Sequence, residues 1–176
     1  MAHPDRTLYQ FSASHYCEKA RWILDAKALP YGTRELLPGR HARVTKHLTR
    51  GRSHSVPVLE DRGTILGDST DIALYLEQAY PSAPRLVPTA GPERERVLEL
   101  EAYFDEVAGP HTRRWVYAQM FEADADVASF LFSAFSLPVR LMGRAVFPLL
   151  RSRIERAYVE SPQKVEASRV ALMEGL

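Results

Sequence analysis

Two side chains with usable chemistry stand three residues apart in the stretch "SASHYCEKARW", residues 12 to 22: Ser14 and Cys17. Cys17 is the single cysteine of the chain and fills the second place of a Cys-x-x-Cys pattern whose first place is serine. The stretch therefore has the outline of a redox-active turn with one member changed. The apolar run "TLYQF" leads into it and a helical pattern leads out, so both residues belong to a strand-to-helix junction. A serine there caps the helix, worth about 1 kcal/mol. Cys17 falls in the first helical turn, where the dipole can lower a thiol pKa. It also lies three residues before Ala20 on the apolar stripe, and burial is the commoner fate of such a cysteine.

The elements that must position this junction follow from periodicity. "TLYQF" reads as a strand and "HYCEKARWILDAKA" as a helix, with Tyr16, Ala20, Ile23, Leu24 and Ala28 on one stripe. "PYGTRELL" is a second strand, and residues 40 to 49 form a polar helix. "SVPVLEDRGTIL" reads as two short strands joined by a turn around Asp61–Gly63, and "DSTDIALYLEQAYP" as a helix with its own capping residues. The order is β-α-β-α-β-β-α, with a crossover helix implying parallel pairing and a final hairpin. "PSAPRLVPTAGP" holds four prolines and reads as a linker. Beyond it only helical patterns occur, with Val97, Leu100, Phe104 and Val107 as one face and interruptions at "AGPH" and "SLP". The expected domains are an α/β domain over residues 1–81, a linker over 82–91 and an all-helical domain over 92–176.

Composition excludes several classes. With 23 basic and 22 acidic residues the net charge is +1, so bulk charge points neither to nucleic acid nor to an acidic partner. One cysteine forms no internal disulfide, and the N-terminus lacks the apolar core of a secretory signal, which reads as cytoplasmic. "FLFSAFSLPVRLMGRAVFPLL", residues 130 to 150, is long and apolar but carries Arg140, Arg144, Pro138 and Pro148. A buried or partner-facing helical hairpin is expected there, and no membrane partner. Residues 36 to 59 contain no acid and include Arg40, Arg43, Lys46, Arg50 and Arg52. Without interleaved aromatics this block reads as a solvated helix face and loop, so no nucleic-acid partner is expected. The histidines show no metal-ligand spacing, and there is no phosphate loop or Ser-His-Asp order.

The ordered trio "SASHYCEKARW", "VPVLED" and "GDSTDIALYLEQAYP", over roughly residues 6 to 88, resembles the glutathione S-transferase family. The resemblance implies a thioredoxin-like N-terminal domain followed by an all-helical one. The helical half matches in character alone, and it ends where the family's late helices would still be arriving. It is therefore expected to be shortened or incomplete.

The resemblance also implies roles. Ser14, seven residues before Arg21, takes the family's catalytic position, where its hydroxyl would stabilise the thiolate of glutathione; Ser12 is the alternative hydroxyl. Val56, before Pro57, would pair with the cysteinyl part of glutathione through its backbone, the proline being cis. Ser69 would hold the γ-glutamyl carboxylate at a helix N-terminus and Asp68 the ammonium, although capping alone also explains both. His54 and Ser55 are placed for the glycyl carboxylate, while Gly51–Arg52 replaces the family's Asn-Pro. Trp115, Tyr117 and Phe121 could line an apolar pocket, yet such spacing is more often core.

The expected activity is attack of bound glutathione, as co-substrate, on a small electrophile, in conjugation or isomerisation, by a homodimer without a metal. The alternatives are a non-catalytic glutathione-fold binding or interaction module and a glutathione-dependent thiol oxidoreductase using Cys17.

Overall fold

The computed structural model describes residues 5–123 and 126–175. They divide into two compact units, one ending at Leu98 and the other beginning at Glu99.

In the first unit, β1 (Arg6–Gln10) alternates its side chains between two cores. Leu8 joins Leu59 on one face with Ala20, Leu24, Ile72 and Leu76, and Tyr9 joins Val58 and Leu36 on the other. This period-2 alternation requires helices on both sides of the sheet. α1 (His15–Ala26) and α3 (Ser69–Ala79) supply the first layer, and α2 (His41–Leu48) lies at the opposite core through Leu48. The buried face of α1 is Cys17, Ala20 and Leu24, so the cysteine takes the place on the stripe expected for Tyr16, which is half-buried.

The sheet order is β2-β1-β3-β4, with β2 (Gly32–Glu35) parallel to β1 and β3 (Val58–Asp61) and β4 (Thr64–Leu66) antiparallel to their neighbours. Arg62 and Gly63 join β3 to β4 with φ of +49° and +87°, the two left-handed residues of a tight hairpin turn. The observed order is β-α-β-α-β-β-α, as the periodicity predicts.

Two buried ion pairs cross this unit. Arg6 and Asp61 lie 3.2 Å apart, and the Asp61 carboxylate accepts from the hydroxyls of Tyr75 (3.0 Å) and Tyr80 (2.7 Å). Lys27, whose side chain is fully buried, donates to Glu77 and to the Pro84 carbonyl, each at 3.0 Å. Glu77 also accepts from the Leu86 and Val87 N–H groups. The proline-rich stretch read as a linker is thus bonded to α1 and α3 over residues 84–87.

α4 (Pro92–Ala102) leads into the helical second unit, with α5 (Gly109–Glu122), α6 (Val127–Leu131), α7 (Leu137–Ile154) and α8 (Pro162–Glu174). The expected interruption at "AGPH" does not occur. Residues Tyr103–Ala108 form wide i→i+5 turns that run straight into α5. Pro110 lacks an N–H and would crowd the carbonyl four residues back, and a widened turn relieves both problems. On the helix face expected of this stretch, Leu100, Phe104 and Val107 are 39%, 58% and 42% exposed.

Residues 127–154 do form a helical hairpin, α6 and α7, closed by Phe132 against Gly143, where an added Cβ would meet the ring at 2.6 Å. Elsewhere in this unit Tyr117 stacks on Tyr158 and Phe121, and burial, then Tyr158, raises its pKa to about 12.

Candidate functional site

Sheet topology brings the candidate residues to one end of the first unit. β1 ends at Gln10 and runs into Ser12 and Ser14. Because β3 is antiparallel, with Tyr9 opposite Val58, its beginning lies at the same end, and Val56–Pro57 precedes it. β4 reverses again, with Leu66 opposite Leu59, so Gly67, Asp68 and Ser69 follow there too. β2 is parallel to β1 and delivers Glu35 opposite Gln10. Four segments far apart in sequence therefore share one sheet edge, the end at which α/β folds bind ligands.

Ser14 is the N-cap of α1, and its Oγ accepts from the Cys17 N–H at 3.4 Å. A serine hydroxyl has one donor and two acceptor sites, so capping leaves the O–H of Ser14 to be given elsewhere. Ser12 is different. Its hydroxyl donates in a short bond to Glu35, whose carboxylate also accepts from the Ser12 N–H (3.1 Å) and from Gln10 Nε2 (2.7 Å). Arg21 completes the clamp, giving Nη1 to Gln10 Oε1 at 2.5 Å, Nη2 to the Ser12 carbonyl at 3.1 Å and Nε to Glu18 at 2.8 Å. The loop that carries Ser14 is thus held on both sides by charge-assisted bonds.

Cys17 is fully buried. Burial pushes its thiol pKa up, against the lowering effects of the Phe11 backbone, Ser14 and Arg21. A thiol raised and buried in this way is a poor nucleophile.

The Val56–Pro57 peptide is cis. Val56 is half-buried against the Tyr9–Leu36–Val58 core, and Pro57 is buried. His54 and Ser55 are exposed, with the Ser55 N–H given to Ser53 Oγ at 3.3 Å. Asp68 is exposed and caps α3, its Oδ1 accepting from Thr70 N–H at 2.8 Å and Asp71 N–H at 3.2 Å. Two helix donors on which an anion could rest are therefore already occupied. Ser69 is buried.

Three positions belong to this edge that motif reading does not single out. Glu35 stands at the end of a strand, and its partners become visible only through the β1–β2 register. His41, on α2, faces Phe11 edge to face at 4.7 Å, and burial, with His54 adding to it, lowers its pKa. Gly67 allows β4 to turn into α3 against the preceding loop: an added Cβ would sit 2.6 Å from Ser53 Cβ and 3.0 Å from Thr49 Cγ2. Among the described residues no group of three His, Cys, Asp or Glu side chains converges as a metal site.

The fold and this edge define a thioredoxin-like domain. Residues 8–85 match the family model described as "Glutathione S-transferase, N-terminal domain". That match takes in somewhat under half of the chain and makes residues 8–85 similar to the N-terminal domain of that family.

Among curated relatives it is 35% identical over 96 residues to a probable maleylacetoacetate isomerase of Vibrio cholerae serotype O1, covering 53% of this chain and 44% of the relative. It is 30% identical over 103 residues to glutathione S-transferase 1 of Manduca sexta, covering 56% and 46%. The matches span less than half the length of either relative. Among solved structures, the β-etherase LigF of Sphingobium sp. strain SYK-6 aligns with a TM-score of 0.69 at 18% identity, over 97% of this chain and 70% of that one. Rice GST1, solved in complex with glutathione, aligns at 0.56 and 18%, over 98% and 92%. These two likenesses establish the fold: a thioredoxin-like domain followed by a helical one.

Proposed function

We propose that the protein binds glutathione along the shared sheet edge and activates its thiol for attack on a small electrophile, by conjugation or isomerisation. The family and the named relatives support the broader statement, a glutathione-dependent transferase or isomerase. The observation that carries the finer one is the contrast between the two serines. Ser12 spends its hydroxyl on Glu35, whereas Ser14 accepts a capping bond and keeps its O–H to give.

On this reading the ligand thiol releases its proton to solvent. The thiolate is then stabilised by the Ser14 O–H and by the positive end of α1. Val56 offers main-chain pairing to the cysteinyl segment, Ser69 meets the γ-glutamyl carboxylate, and Asp68 meets the ammonium. His54 and Ser55 lie where the glycyl carboxylate would reach. The protein would act as a homodimer, as expected of the family.

The test is turnover of glutathione with a generic aryl halide. Ser14→Ala should abolish most of it and Cys17→Ala should leave it. Loss with Cys17→Ala alone would instead establish the thiol-oxidoreductase reading, which the buried, raised thiol opposes. Retention on immobilised glutathione without turnover would establish the binding module.

A further inference from the structure

α7 exposes Leu137, Leu141, Met142 and Leu149 at 64%, 57%, 54% and 72%. At about 100° per residue these four, with Ala145, fall within an arc about 140° wide. The arc lies opposite Gly143, where Phe132 closes the hairpin. Arg144, Arg151 and Arg140 stand on one side of the arc, in that order from its margin, and Arg153 on the other; Arg140 and Arg153 have no ion-pair partner among the described residues. Arg144 and Arg151, on the Arg140 side, are paired with Asp126 and Glu155. Residues 127–154 contain no aspartate or glutamate at all. The face is therefore an exposed apolar band with a cationic excess on its flanks, since the two neighbouring acids, Asp126 and Glu155, are taken up by Arg144 and Arg151.

We propose that this face of α7 lies in the surface of an anionic lipid bilayer, with the helix axis parallel to the membrane. A wide apolar arc with arginines at its margins is the arrangement of an interfacial helix. The arc enters the acyl boundary while the guanidinium groups extend sideways to lipid phosphates. Charge complementarity decides the occupant. A second copy docking through the same face by a two-fold would bring an apolar arc edged by arginines against another edged by arginines, the neighbouring acids Asp126 and Glu155 being already paired within each copy. Spanning is a different matter, since no helix is long and apolar enough to cross a membrane among the described residues. The proposal revises the sequence-based expectation of no membrane partner, and it is independent of the glutathione reading.

The experiment is sedimentation of the full chain with vesicles of phosphatidylcholine alone and of phosphatidylcholine mixed with phosphatidylglycerol. Binding to the anionic vesicles should exceed that to neutral ones by on the order of tenfold and weaken with added salt. Leu141→Glu/Leu149→Glu should remove it with far-UV spectrum and Tm unchanged, because both side chains are exposed. Should that variant unfold, Arg140→Glu/Arg153→Glu carries the same expectation. No sedimentation of the parent protein, or undiminished binding by both variants, would overturn the proposal. So would concentration-dependent self-association that the leucine variant abolishes, which would assign the face to a second copy.

Discussion

At the scale of single residues, the site turns on which hydroxyl is already committed. Sequence puts Ser14 first by its spacing to Arg21, with Ser12 as the alternative hydroxyl, since both sit between the first strand and the first helix. Glu35 separates them by accepting the Ser12 hydroxyl. Ser14→Ala is expected to lower kcat/KM with glutathione by about 10- to 100-fold, the loss of one hydrogen bond to a charged partner. It should also cost about 1 kcal/mol of stability, since the cap is lost. Ser14→Asp separates the two roles. It restores the cap, and thus the urea midpoint, while activity stays low because a carboxylate has no proton to give. Cys17 was legible as either a reactive or a buried residue. Burial raises its thiol pKa, an effect no spacing rule contains.

At the scale of elements, close approach and buried charge carry the consequences. Gly67→Ala places a Cβ 2.6 Å from Ser53. Either the Thr49–Ser53 loop or the start of α3 must then move, costing about 1–3 kcal/mol as overpacking does. Isothermal titration should show weaker glutathione binding as well, since Asp68 and Ser69 follow directly.

Lys27 and Glu77 tie α1 to α3 and to residues 84–87. Burial alone would raise the Glu77 pKa, but the Leu86 N–H, Lys27 and the Val87 N–H together bring it below the ordinary carboxylate value. The folded protein thus holds this proton less tightly than the unfolded chain. The stability that Glu77 contributes is complete above the ordinary carboxylate pKa and is lost as pH falls from there through the lower folded value. Urea midpoints across that acidic range should decline for the parent protein and flatten for Lys27→Met/Glu77→Gln. Glu77→Ala alone, which strands a buried ammonium, should cost about 3–5 kcal/mol. The periodicity of α1 announced its buried stripe but not this pair, whose members are fifty residues apart.

At the scale of the whole molecule, a ligand held along the sheet edge should stabilise the fold by mass action. Glutathione at a hundred times its Kd is expected to add about 2.7 kcal/mol, read as a rise in Tm, and Ser14→Ala should retain part of that rise. Absence of any shift would remove glutathione as the ligand.

The chain by itself determined the element order and the turn around Asp61–Gly63, and its ordered motifs carried the family resemblance that implied the cis proline. Each of these rests on local period, turn chemistry or an ordered motif. Tertiary structure alone decided that Glu35 takes the Ser12 hydroxyl, that Gly67 packs against Ser53 and Thr49, and that "AGPH" continues a helix. It also decided that Leu100, Phe104 and the arc of α7 face outward. Helical period says which residues share a face, but what covers that face depends on neighbours far away in sequence, and so does the partner that takes a buried hydrogen bond.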